Sequence, residues 1–103
     1  MDDALYEARA ELLKAMAHPA RLKMIEALTG GEKCVCELQA LVGSAMPTVS
    51  RHLAQMKAVG IVTARRQGPW VYYRLRVPCV MRTFACLDEA LARPLVPAAP
   101  PEA

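Results

Sequence analysis

At 103 residues the chain is long enough to bury one hydrophobic core without disulfide or metal staples, so its four cysteines are not required for stability. No apolar run approaches the length that spans a bilayer, and the opening "MDDALYEARAELLKAM" is acidic and helical in pattern, without the basic and apolar regions of a secretory signal. These features predict a cytoplasmic protein with reduced thiols and no membrane partner, and the formal net charge of +3 hides a strong segregation. Residues 1–37 hold seven acids and five bases, residues 38–87 hold seven bases and no acid, and residues 88–103 hold three acids and one base. A central segment that never turns negative points to a polyanion as partner.

In chain order, Leu5, Ala8, Leu12 and Met16 recur at helical spacing behind Asp2 and Asp3, which suit a helix N-terminus. Pro19 fits the first turn of a second helix carrying Leu22, Ile25 and Leu28 and stopped by Gly30-Gly31. Val35, Leu38, Leu41 and Val42 give a short third helix that begins near the cysteines and ends at Gly43. Ser44 and Pro47 open a fourth, with Val49, Leu53 and Met56 on one face and Gly60 as its stop. The third and fourth helices, joined by "VGSA", have the proportions of a helix-turn-helix.

The period then changes. "IVTARRQGPWVYYRLRV" is rich in β-branched and aromatic residues around Gln67-Gly68-Pro69 and predicts a β-hairpin, with Trp70 packing on the helices. After Pro78 a last helix carries Val80, Phe84, Leu87 and Leu91, and "RPLVPAAPPEA" predicts a disordered proline-rich tail. The expected fold is mainly α with a small β-hairpin, in the order α-α-α-α-β-β-α. One domain over residues 1–92 precedes a tail over 93–103.

With Val49, Leu53 and Met56 buried, the outer face of the fourth helix presents Thr48, Arg51, Ala54 and Gln55, with Ser50 and His52 at the flanks. Small residues allow close approach to a groove, and Arg and Gln can pair bidentately with base edges. Arg65, Arg66 and Arg74 of the hairpin would meet phosphates of double-stranded DNA and set register. No nucleophile–base–acid set, phosphate-cradling glycine loop or Cys-x-x-Cys appears, so an enzyme is not expected.

The segments "KAMAHPARLKMIEAL", "CVCELQALV", "MPTVSRHLAQMKAVGIVTARRQG" and "WVYYRL" resemble, in order and spacing, the ArsR/SmtB family of metal-sensing winged helix-turn-helix repressors, with the arsenic-responsive branch the closer match. The resemblance covers roughly residues 10 to 76. It implies a homodimeric repressor on an inverted-repeat operator, released when metalloid binds. It also implies that the first and last helices form the dimer interface, placing Leu5, Leu12, Val80, Phe84, Leu87 and Leu91 there.

Cys34 and Cys36 lie at a helix start, where free N–H groups and the dipole favour thiolate while Glu32 and Glu37 oppose it. Thiolates select soft, thiophilic ions. A spacing of two makes a poor disulfide, and regular helix would point the two sulfurs apart, so holding one atom between them should require a bent or unwound helix start. The resemblance makes As(III) or Sb(III) the inducer, bound by Cys34 and Cys36, with Gln39 standing where the branch carries a third cysteine. Cys79 and Cys86 share a face of the last helix and are expected to pack as small hydrophobes, or else to form an additional or separate site. A thiol redox-sensing repressor and a zinc- or cadmium-responsive one stand as alternatives, the latter short of ligands because only His18 and His52 are available.

Overall fold

The computed structural model describes residues 2–95. Its elements are α1 (Asp3–Met16), α2 (Pro19–Leu28), β1 (Lys33–Cys34), α3 (Val35–Val42), α4 (Met46–Ala58), β2 (Val62–Gln67), β3 (Trp70–Leu75) and α5 (Val80–Ala92). Asp2 caps α1 by accepting from the Ala4 N–H at 3.1 Å, and Pro19 occupies the first turn of α2 as its fixed φ favours. Gly43, at φ 71°, ends α3 in the left-handed conformation, its N–H donating to the Gln39 carbonyl. The fourth helix starts one residue beyond Ala45, whose carbonyl accepts from the N–H groups of Thr48 and Val49, so Ala45 rather than Ser44 stands at the cap.

One element escaped the sequence pattern. The chain before α3 forms the two-residue strand β1, too short to show a period, and it adds to the hairpin in a three-stranded antiparallel sheet of order β1-β3-β2. Lys33 lies opposite Tyr73 and Cys34 opposite Tyr72, while β2 and β3 pair from Val62 opposite Leu75 to Gln67 opposite Trp70. The wing therefore reaches back to the cysteines.

The core lies where α2, α3 and α4 meet β2. Met24, Ile25, Leu38, Leu53, Met56 and Ile61 are fully buried, each such side chain contributing about 1.5–3 kcal/mol of burial. Trp70 does not join them: at the hairpin tip, beside the Gly68-Pro69 turn, it is 52% exposed, too far out along the strand to reach a helix. Tyr73, nearer the sheet centre, packs against the core instead, and burial pushes its hydroxyl up from the usual value. Beyond Ala92, residues Arg93, Pro94 and Leu95 leave the helix exposed, and the rest of the expected tail, 96–103, lies outside the described residues. No helix among the described residues is long and apolar enough to cross a membrane.

Candidate nucleic-acid interface and cysteine site

Helix α4 buries Val49, Leu53 and Met56 at helical spacing, which turns Ser50, Arg51, Ala54 and Gln55 to solvent and leaves Thr48 and His52 half-buried at the edges. Two of these side chains are already engaged. Arg21 of α2, only 6% exposed, donates from Nε to His52 Nδ1 at 2.8 Å, from one terminal nitrogen to the Ala15 carbonyl at 3.0 Å, and from the other to Gln55 Oε1. The His18 ring stands 4.9 Å from that of His52. Burial, then the charges of Arg21, His18 and Arg51, hold the His52 imidazole below its ordinary value.

The wing presents Arg65, Arg66 and Arg74, all exposed. Arg65 is not free: its guanidinium makes a forked contact with Glu32, 2.9 Å from Nε to each carboxylate oxygen, and lies 4.7 Å over the Tyr72 ring. The same contact holds the Glu32 carboxyl below the usual carboxylate range and raises Arg65. Between α4 and the wing, a cleft of about 320 Å³ is lined by Lys57, Arg65 and Arg66 together with Ala64, Val71 and Tyr73, a concave site whose charge suits an anion.

Cys34 ends β1 and is the N-cap of α3, with extended backbone at φ −76° and ψ 159°; Cys36 lies inside the first turn. The extended backbone of Cys34, outside the helix, turns its side chain towards that of Cys36, and the two sulfurs are joined as a disulfide with the Cα atoms 5.4 Å apart. A spacing of two therefore does not preclude the bond, and no unwinding of α3 is needed to bring the sulfurs together. Glu37 reaches back to accept from the Cys34 N–H at 3.2 Å, which fixes the helix start. Cys34 is buried and Cys36 exposed.

The arrangement of α3, α4 and a basic wing is matched by known proteins. Residues 18–64 fit the family described as bacterial regulatory protein, arsR family. The arsenic resistance transcriptional regulator ArsR2 of Pseudomonas putida is 56% identical over 45 residues, 44% of this chain, but the match spans only 39% of that relative's length. The arsenical resistance operon repressor of Escherichia coli is 37% identical over 81 residues, covering 78% of this chain and 69% of the relative. The chain belongs to the ArsR family. Among solved structures, the homodimeric winged helix-turn-helix DNA-binding domain of Mb0332 from Mycobacterium bovis superposes with a TM-score of 0.73 at 34% identity, covering 86% of this chain and 82% of that one. ArsR-family chains with this fold are DNA-binding transcriptional regulators and not enzymes.

Within this ArsR-family chain, Thr48, Arg51, His52 and Gln55 share one side of α4, Ser50 lies on its other flank, and Arg65, Arg66 and Arg74 share the wing. Lys57, in the last turn of α4, joins the cleft between them and was not singled out in the sequence, although its place in an acid-free segment was the available signal. Arg21 was missed for a different reason. It occupies the first position of the buried stripe Arg21, Met24, Ile25 and Leu28, which an apolar template skips in favour of the half-buried Leu22.

Cys79, at the N-cap of α5, and Cys86, within it, are both exposed, so neither packs as a buried hydrophobe in the protomer. Among the described residues no group of three His, Cys, Asp or Glu side chains is placed to hold a metal ion. Gln39 instead donates from Nε2 to the Ser44 carbonyl at 3.4 Å, bridging the turn of the helix-turn-helix. Leu5, Leu87 and Leu91 are exposed, Leu12 and Phe84 half-buried, and Val80 buried.

Proposed function

We propose that the chain is a transcriptional repressor that binds an inverted-repeat operator as a homodimer and leaves it when a soft, thiophilic ion, As(III) or Sb(III), is held by the Cys34 and Cys36 thiolates. The observation that carries this reading is the convergence of the two sulfurs at the junction of β1 with α3. Reduced, that pair offers two thiolates to one soft ion, and a small cellular thiol can complete the coordination. The exposed apolar side chains of α1 and α5, Leu5, Leu87 and Leu91, support a second copy as their cover.

The position of the pair supplies a route to DNA. Cys34 is a strand residue of the wing sheet, paired with Tyr72, and Glu32 two residues earlier holds Arg65. An ion pulled onto both sulfurs therefore acts on the wing arginines as well as on α3 and, through its packing, on α4. A coupling of about 1–3 kcal/mol, or 5- to 150-fold in operator affinity, is enough for induction.

The bonded sulfurs also favour a second reading, in which oxidation to the disulfide is itself the signal. Operator binding, followed by fluorescence anisotropy, separates the two. On the metalloid reading, arsenite in the presence of a reductant releases wild type and the Cys79→Ser/Cys86→Ser double variant, whereas Cys34→Ser and Cys36→Ser bind DNA and stay bound. Release by oxidant alone, with arsenite inert under reducing conditions, moves the assignment to redox sensing. Normal release of the Cys34→Ser and Cys36→Ser chains rejects both.

A further inference from the structure

The cleft between α4 and the wing is walled by Lys57 on one side and by Ala64, Arg66, Val71 and Tyr73 on the other. We infer that it is a phosphodiester-binding site, in which Lys57 and Arg66 close from opposite walls on one backbone phosphate of the operator, where its strand passes between the recognition helix and the wing. The inference rests on the reading of α4 as the helix that enters DNA.

Side chains alternate along a strand, so Ala64 and Arg66 of β2, with their partners Tyr73 and Val71 of β3, share the face on which Val62 is buried. Towards the hairpin tip this face loses its cover: Ala64 and Val71 are half-buried, and Arg66 is exposed. Arg65 also borders the cleft, but its guanidinium is taken by Glu32. On α4, burial of Val49, Leu53 and Met56 places Ser50, Ala54 and Lys57 together on one exposed flank. Ser50 and Ala54 are small, so a DNA strand can run along that flank to Lys57.

Neither Lys57 nor Arg66 has a carboxylate within ion-pair distance among the described residues, and no acid lines the cleft. The backbone adds nothing for an anion here, because the C-terminal end of a helix exposes carbonyls and carries a partial negative charge. The two side chains must therefore hold it, arginine by forking onto two oxygens and lysine as a point charge. Ala64, Val71 and the ring of Tyr73 make the rest of the wall largely apolar. A phosphodiester matches both parts, an oxyanion flanked by deoxyribose faces, whereas a free phosphate is hydrated on all sides.

Selection from a random duplex library by the full, reduced chain supplies the operator, and methylphosphonate linkages placed singly along both strands then remove one phosphate charge at a time. At one position in each half-site wild type should lose about tenfold or more in affinity, while Lys57→Gln/Arg66→Gln, already weaker on the unmodified duplex, should lose less than about twofold there. The losses of the two single variants should not add, because both cations serve one phosphate. Both residues are exposed, so the variants keep the fold, and Lys57→Arg, which keeps the charge, should retain the dependence on that phosphate. A scan in which every phosphate matters equally to wild type and the double variant, or single losses that sum to the double loss, overturns the inference. If that happens while Arg51→Ala abolishes selection of the duplex, α4 still reads DNA and only the cleft assignment falls. If wild type enriches no duplex, the DNA reading and the cleft assignment fall together.

Discussion

Glu32 grips Arg65 through both carboxylate oxygens, tying the loop before the cysteines to the second strand of the wing. The pair lies on an exposed surface, where solvent screens such contacts and they add little, so its importance is not to stability. It neutralises an arginine that lies on the opposite face of β2 from Arg66 and holds an acid near the expected path of the phosphates. Replacing Glu32 by Gln should leave the melting temperature nearly unchanged, raise operator affinity, and steepen the dependence of log K on log salt by about 0.9, the value of one added phosphate contact. Arg66→Ala should do the reverse. A Glu32→Gln chain with wild-type affinity and slope would show that Arg65 does not meet DNA.

Gly60 and Gly43 both sit in left-handed backbone, at φ 84° and φ 71°. Alanine at either should cost about 1–2 kcal/mol for that conformation. The two sites differ in their surroundings: nothing lies near Gly43, whereas a Cβ on Gly60 would strike the Arg76 guanidinium, which donates to the Gly60 carbonyl at 2.9 Å. Arg76 can swing away and lose that bond. Urea denaturation should therefore show Gly60→Ala as the more damaging change, and an added Arg76→Ala should bring the two glycine sites to the same cost. Equal costs in the parent background would mean that Arg76 does not hold the turn.

Legibility in the sequence followed the length and regularity of the pattern. Helices α1, α2, α4 and α5 and the hairpin each carry two or more turns or strand repeats of apolar spacing, and their existence and order could be read from Leu5 to Leu91. The strand Lys33–Cys34 could not, because two residues have no period and their partners, Tyr72 and Tyr73, are far along the chain. The same long-range pairing explains why the cysteines could be placed at a helix start but not in the wing sheet. Arg21 was hidden by its residue type, being a cation in the stripe of α2 reserved for apolar side chains, satisfied only by groups from α1 and α4.

Gln39 occupies the position at which the resemblance expects a third sulfur, and its amide spans to the Ser44 carbonyl at a long 3.4 Å. Breaking so long a bond should cost little, about 0.5 kcal/mol at the low end of the usual range. Gln39→Cys is therefore expected to fold with nearly wild-type stability and to release operator at a lower arsenite concentration than wild type, because a third thiolate joins the two at Cys34 and Cys36. Titrating arsenite into the reduced protein–operator complex measures this directly. An unchanged midpoint would place Gln39 out of reach of the bound ion.

His52 supplies the pH dependence. Its imidazole is held below the ordinary histidine value of 6.5, first by burial and then by Arg21 of α2, His18 at the N-cap of α2 and Arg51 of its own helix, while Gln55 adds no charge. A histidine whose folded value is depressed contributes stability that is complete above the unfolded value and is lost as pH falls through the folded one. Glu32 acts in the same direction but lower, its contribution present above 4.5 and lost on further acidification. Acidification from about pH 7.5 to about pH 5.5 should therefore lower the urea midpoint, with His52 as the main cause and Glu32 still ionised. Protonation at Nδ1 also removes the acceptor that Arg21 uses, so the α2–α4 contact is lost together with the neutral imidazole. His52→Gln keeps an acceptor for Arg21 without a titrating group, and its midpoint should be flatter across that interval. If wild type and His52→Gln lose stability equally, the protons are taken up elsewhere and the Arg21–His52 contact does not set the acid limit of the fold.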